Sequence, residues 1–146
     1  MKVAVIMNHA AGSAGVAHAR DRAAAIRTAF TDAGVEVELH PGDGPRLADL
    51  ARAAAASGVD AVVAAGGDGT VSAVASALAG GDVPLAVLPL GTLNHFAGDL
   101  GMPRELAAAA RAIAAGTIDR VDVGEVNGRV FVNNSSIGLY PLVVGG

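Results

Sequence analysis

Residues 61–70 read AVVAAGGDGT, and this stretch decides the fold. An apolar run, 61–65, leads straight into Gly66, Gly67 and Gly69, and an Ala- and Val-rich segment comes immediately after. A short apolar run bounded by glycines reads as a buried strand. The segment over 70–79 reads as a helix, ended by Gly80 and Gly81. Glycines at such a turn remove side-chain bulk and permit backbone angles that other residues avoid. The backbone can then approach an anion closely, while the unsatisfied amides of the helix start face it.

The same strand-to-helix rhythm extends in both directions. Residues 2–7 form an apolar run suited to a central strand, followed by a polar, glycine-containing loop from Asn8 to Gly15. Ile26 and Phe30, four apart, mark a helix over 16–33 that Gly34 stops. Val35, Val37 and Leu39 alternate with Glu36, Glu38 and His40 as in a half-buried strand, which Pro41 is expected to break. A second helix spans 46–57, ending near Gly58, and an inner strand spans 59–65. After the glycine-rich turn come a strand over 83–88, a short helix over 94–100, and a helix with Pro103 in its first turn that reaches about Ala115. This alternation predicts an α/β fold in three layers, a mostly parallel sheet with helices on both faces. Two Val-rich runs, 118–126 and 129–137, then flank Asn127-Gly128, a two-residue hairpin signal. The hairpin is either an addition to the sheet edge or the crossing into a second, β-rich domain.

Composition narrows the function classes. The chain of 146 residues is 52% hydrophobic and 16% charged, a compact composition, and only 3% aromatic, so its core is built from Ala, Val, Leu and Ile. Its formal charge of −4 argues against a general nucleic-acid surface. Cysteine is absent, which removes disulfides, thiol nucleophiles and thiolate metal sites, and makes an intracellular setting the default. No segment reads as a transmembrane helix or a signal peptide. The only lysine is Lys2, so no phosphate loop ending in GK[ST] exists, and the turn at 66–70 lacks the spacing of the usual dinucleotide fingerprint.

Several polar residues sit where strands should end. Ligands of parallel sheets bind at the carboxyl edge, where loops after different strands converge. Asn8, Gly12 and Ser13 would meet Asp68 there. Asn8 either orients a phosphate or a neighbouring loop, or is simply a polar strand exit. Asp68 beside a phosphate is repulsive unless Mg²⁺ intervenes; the alternatives are a ribose hydroxyl or a purely structural turn. Thr70 either caps the helix or offers its hydroxyl to a ligand. In LPLGTLNHFAGDLG, residues 88–101, Pro89 and Gly91 shape a turn while Thr92 and Asn94 offer hydrogen bonds to ribose or phosphate. His95 is a phosphate contact, a buried neutral histidine or a helix-cap donor, and Phe96 reads as core. Asp119 and Asp122, three apart on an extended strand, face opposite ways and make a poor carboxylate pair.

The pieces GGDGT at 66–70, PLGTLNHFAGDLG at 89–101 and VDVGEVNGRVFVNNSSIGL at 121–139 together resemble the catalytic domain of diacylglycerol kinases, sphingosine kinases and bacterial lipid kinases. The resemblance covers residues 2–140. It implies a nucleotide domain of the NAD kinase/phosphofructokinase kind over 1–120, closing with the β-hairpin, with 121–146 opening a truncated second β-rich domain. It implies ATP and Mg²⁺ as cofactors and a lipid hydroxyl, of diacylglycerol or a related lipid, as acceptor at a membrane surface. Gly66, Gly67, Asp68, Gly69 and Thr70 match the family's phosphate loop, and Gly91, Thr92 and Asn94 its second nucleotide-side loop. Asn8 and Gly12 match two positions of its first loop, usually written NPxSG, where His9 and Ala11 replace Pro and Ser. Asp122 matches an acidic position of the Mg²⁺-associated, water-mediated network, alongside Asp68. His95 stands where many members carry Asp, which exchanges a carboxylate for an imidazole at a nucleotide-contact position.

No general base is assigned within the chain. The resemblance places it in the second domain, so the chain is expected to be a fragment of a cytoplasmic enzyme that works at the inner face of the membrane. Two other functions compete: an NAD kinase-like small-molecule kinase, and a noncatalytic nucleotide-binding regulatory module.

Overall fold

A computed structural model describes residues 1–8, 15–89, 105–116, 121–126, 129–132 and 142–144. Its centre is a four-stranded, all-parallel sheet in the order β2-β1-β3-β4. The strands are β1 (Lys2–Asn8), β2 (Glu36–Gly42), β3 (Ala61–Gly66) and β4 (Leu85–Pro89). Helices α1 (Gly15–Asp32), α2 (Gly44–Ala56) and α3 (Asp68–Leu78) connect them in turn, and α4 (Leu106–Ala115) follows β4.

The central strands explain their own composition. Val3 to Met7 of β1 and Ala61 to Ala65 of β3 are all buried, because helices cover both faces of the sheet. A strand covered twice needs an unbroken apolar run rather than an alternating one. The chain leaves β1 towards one side of the sheet and later moves the other way from β2 to β3 and from β3 to β4. Right-handed crossovers therefore put α1 on one face and α2 and α3 on the other. The packing agrees: α1 lies against α4, and α2 against α3.

Helix α1 is anchored by Ile26, Ala29 and Phe30, spaced to fall on one face and all buried. It ends in a tight motif in which the Gly34 amide donates to Thr31 O at 3.0 Å and the Val35 amide to Phe30 O at 2.9 Å. Gly34 has φ +78°, the left-handed conformation that this pair of bonds requires and that glycine adopts without a Cβ clash.

Four expected boundaries shift, each for a local reason. Strand β2 runs through Pro41 to Gly42 instead of breaking there. It is the edge strand of the parallel sheet, where a missing amide can face away from the ladder. Helix α2 consequently starts at Gly44, with Pro45 in its first turn, where a missing amide costs nothing. Helix α3 starts at Asp68, two residues ahead of expectation. Helix α4 starts at Leu106 with Glu105 as its N-cap, so Pro103 precedes the helix rather than opening it. The expected helix over 94–100 lies outside the described residues.

A second, three-stranded sheet has the order β6-β5-β7, from β5 (Val121–Val126), β6 (Arg129–Val132) and β7 (Leu142–Val144). Strands β5 and β6 pair antiparallel with Val126 opposite Arg129, whereas β7 runs parallel to β5. The turn residues Asn127 and Gly128 lie outside the described residues, and β6 lies against α3.

Polar contacts gather at the start of the sheet. The Lys2 amide donates to Asp60 Oδ2 at 2.7 Å, tying β1 to the approach to β3. Lys2 Nζ lies 2.9 Å from Glu38 Oε1, and His40 Nε2 lies 3.5 Å from Glu38 Oε2, beyond a good hydrogen bond. The hydrogen bond from Lys2 holds the Glu38 carboxyl below its ordinary value, and the same bond holds the Lys2 ammonium above its own. Glu38's share of stability is thus present above the ordinary carboxylate range and lost as pH falls through its lowered folded pKa. Lys2's share is present below the ordinary ammonium range and lost as pH rises through its raised one. Both groups are exposed, so solvent screens the pair and its effect on stability is small. Replacing Lys2 with methionine is expected to move the Glu38 carboxyl upward in an NMR titration; an unmoved titration would contradict the pairing.

Candidate nucleotide-phosphate site

The register of the parallel sheet gathers the predicted residues before any side chain is considered. Asn8 is opposite Gly42, Met7 is opposite Ala65, and Gly66 is opposite Pro89. One step past Met7 and Ala65, Asn8 comes beside Gly66. The ends Gly42, Asn8, Gly66 and Pro89 therefore form a row along the carboxyl edge. Strands β1 and β3 are neighbours whose following helices lie on opposite faces. A crevice opens between such strands, and that is where ligands of open α/β sheets bind.

At the end of β3 the chain turns into α3 with Gly67 as the N-cap, at φ −88° and ψ −169°, without a side-chain cap. The first bond of the helix runs from the Val71 amide to Gly67 O at 3.1 Å. The amides of Gly69 and Thr70 precede that bond and have no acceptor one turn back. They belong to the positive end of the helix dipole, which favours an anion. Asp68, half-buried, is the first residue of α3. Its side chain stands at the same end of the helix, so an anion bound there would also meet a carboxylate.

The glycines of the turn act through space rather than through unusual angles. Among the described residues positive φ occurs at Gly34, Gly58 and Gly80, which follow helices, and not at Gly66, Gly67 or Gly69. A Cβ on Gly66 would lie 2.5 Å from Thr70 Oγ1, 2.9 Å from Thr70 Cβ and 3.2 Å from Thr70 Cγ2. Only a bare α-carbon lets α3 begin so close to the strand. A Cβ on Gly69 would meet nothing within 4 Å, so its bareness leaves open surface beside the first turn. Thr70 is 3% exposed and is the third residue of α3; of the two roles open to it, the N-cap belongs instead to Gly67.

The remaining predicted residues divide by location. Asn8 closes β1, half-buried, at the edge just described. Gly12, like His9, lies outside the described residues, and so do Gly91, Thr92, Asn94 and His95, which follow Pro89. Asp122 lies on β5 opposite Val143, in the second sheet, one strand away from the β6 that rests on α3. The fold therefore brings Asn8 to the 66–70 turn. It also adds the end of β2, which the reading of Pro41 as a strand breaker had hidden. Gly42 is buried beside Asn8, and a Cβ there would lie 2.6 Å from Leu50 Cδ1 of α2. An open groove between α1 and α4, lined by Ala24, Ala25, Thr28 and Leu106 among others, contains none of these residues. Among the described residues no three acidic, histidine or cysteine side chains are grouped to hold a metal ion unaided.

Known proteins are similar to this chain in sequence and in fold. The family described as the diacylglycerol kinase catalytic domain matches residues 2–126. The probable lipid kinase YegS-like protein of Pseudomonas aeruginosa is 44% identical over 127 residues, covering 86% of this chain and 41% of that protein. The diacylglycerol kinase of Bacillus subtilis is 40% identical over 111 residues, covering 71% of this chain and 36% of that protein. A crystal structure of a diacylglycerol kinase from Bacillus anthracis is similar with a TM-score of 0.66 at 32% identity, covering 89% of this chain and 45% of that one. The chain thus spans about two fifths of the length of the curated relatives that it matches.

Proposed function

Because the chain belongs to the diacylglycerol kinase catalytic domain family, we infer that it supplies the ATP-binding half of a kinase that phosphorylates a lipid hydroxyl. The observation that carries this reading is the meeting of Asn8, the bare Gly66 and the first turn of α3 at the crevice between β1 and β3.

In this reading the amides of Gly69 and Thr70 receive ATP phosphate oxygens, Gly66 lets α3 start close to the strand, and Gly67 adds no side chain to the approach. Asn8 and Gly12 border the phosphates from the β1 side. Gly91, Thr92 and Asn94, with His95 beside them, border the nucleotide from the β4 side. Asp68 and Asp122 are the carboxylates that would hold a Mg²⁺ ion by way of water, and its charge would offset the conflict between Asp68 and the phosphates. A hard cation held by one or two carboxylates plus phosphates suits Mg²⁺, and it needs no complete protein cage. Bound there, the ion would neutralise charge on the phosphates.

The protein's own contribution is alignment. The row of strand ends fixes the phosphate chain, so that the bond from the terminal phosphorus to ADP breaks as a lipid oxygen bonds to that phosphorus. The hydroxyl proton leaves to a carboxylate in the region that the relatives carry beyond this span. Residues 1–120 act as a nucleotide domain of the NAD kinase/phosphofructokinase kind, and 121–146 close it with the hairpin that leads into the second, β-rich domain. The enzyme meets diacylglycerol or a related lipid at the cytoplasmic membrane surface. No helix among the described residues is long and apolar enough to cross a membrane.

The test is transfer of labelled γ-phosphate from ATP by the protein extended to its relatives' length. Label moving into diacylglycerol in mixed vesicles, with none reaching NAD, is the expected result. Label in NAD and none in lipid would replace the reading with a soluble small-molecule kinase.

A further inference from the structure

Thr70 presents a contradiction between chemistry and position. A hydroxyl at the start of a phosphate-facing helix invites contact with the ligand, yet Thr70 is buried, at 3% exposure. Its Oγ1, Cβ and Cγ2 all lie over the α-carbon of Gly66, within 3.2 Å of where a Cβ would stand. Three atoms of one branched side chain thus occupy the space that the glycine vacates. Branching at Cβ restricts χ1, so this contact is stiff.

Parallel register adds a second consequence. In-register neighbours point their Cβ atoms to the same face, and Gly42, Asn8 and Gly66 are neighbours at the edge. A Cβ on Gly42 would meet Leu50 of α2, and one on Gly66 would meet Thr70 of α3, so Asn8 shares the face that carries both helices. Thr70 therefore stands at the joint between the β3 end, the Asn8 position and the first turn of α3.

We propose that the Thr70 side chain is a positioning element of the nucleotide site: its branched shape, seated on Gly66, fixes the distance of the α3 amides from Asn8. In this arrangement its hydroxyl makes no contact with the ligand. The inference rests on the nucleotide reading above and deepens it, because it assigns the affinity to the amides and their placement.

Two substitutions separate shape from hydroxyl. Thr70→Val keeps the branched shape and removes the hydroxyl, and Thr70→Ser keeps the hydroxyl and removes the branch. Calorimetry of Mg-ATP binding, together with thermal melting, is run on wild type and both variants. The expected result is an affinity within about twofold of wild type for Thr70→Val and a loss of about threefold to tenfold for Thr70→Ser, which also melts lower. Every other pattern overturns the proposal: a Val variant that loses affinity or fails to fold, or a Ser variant that keeps wild-type affinity. A wild-type chain that binds no Mg-ATP would sink the nucleotide reading itself, an outcome distinct from either variant pattern.

Discussion

Replacing Gly66 with alanine is expected to destabilise the chain by about 1–3 kcal/mol, the range for forcing an extra methyl group into a packed site. The added Cβ would lie 2.9 Å from Thr70 Cβ and 2.5 Å from Thr70 Oγ1. Neither is the end of a flexible side chain, and Thr70 is buried within α3, so relief requires the helix start to move away from β3. Mg-ATP binding should fall with it, because the amides of Gly69 and Thr70 move together with the helix. Gly69→Ala is the matched control. A Cβ there meets nothing within 4 Å and φ is not positive, so chemical denaturation should show stability unchanged or slightly raised, as alanine is the better helix former. Equal losses at both positions would refute the assignment of the constraint to the seat under Thr70.

The second large effect is on the core. Phe30→Ala is expected to cost about 3–5 kcal/mol, measured as a shift in urea midpoint. That is a large share of the roughly 5–15 kcal/mol by which such domains are stable. Phe30 is fully buried and heads the largest buried side chains. It is one of only three phenylalanines, and the other buried core residues among those described are small or aliphatic, apart from Met7, many of them alanine and valine. Small neighbours on rigid strands cannot collapse into the space that a ring leaves. Its carbonyl also accepts the Val35 amide in the motif that ends α1, so the ring sits at a fixed point of the backbone. A loss below about 1 kcal/mol would show that the site repacks and that the ring is not an anchor.

The parts of the fold that were legible in the sequence are those with one dominant physical cause. Unbroken apolar runs at 3–7 and 61–65 announced strands covered on both faces, and both are the central strands of the sheet. Gly34, Gly58 and Gly80 announced helix stops, and each has the positive φ that makes glycine the fitting residue. Legibility failed where two causes compete. Pro41 is a strand breaker in isolation, but an edge strand tolerates it, and edge position is a property of strand order that no local window contains. That misreading displaced the start of α2 and concealed Gly42 at the site's margin.

The candidate site shows the same division. The turn at 66–70 was readable as a place where backbone approaches an anion, yet the reason for its glycines was not. Gly66 is required by a side chain four residues on, and that contact exists only once α3 begins at Asp68 rather than at Thr70. Asn8 could be placed at the same sheet edge as the turn from the parallel direction of the strands alone, and the register then brings it beside Gly66. The relation of Asp122 to Asp68 rests on the resemblance, because it depends on how two sheets meet and no sequence spacing encodes that.

The most direct test of the central claim is calorimetric titration of the folded chain with Mg-ATP, alongside Asp68→Ala and with NAD as the control ligand. Selective binding of Mg-ATP, weakened about tenfold or more by the substitution, is the predicted result. A folded chain that binds no Mg-ATP, or binds it equally well without the Asp68 carboxylate, would contradict the assignment of the phosphate site to the crevice between β1 and β3.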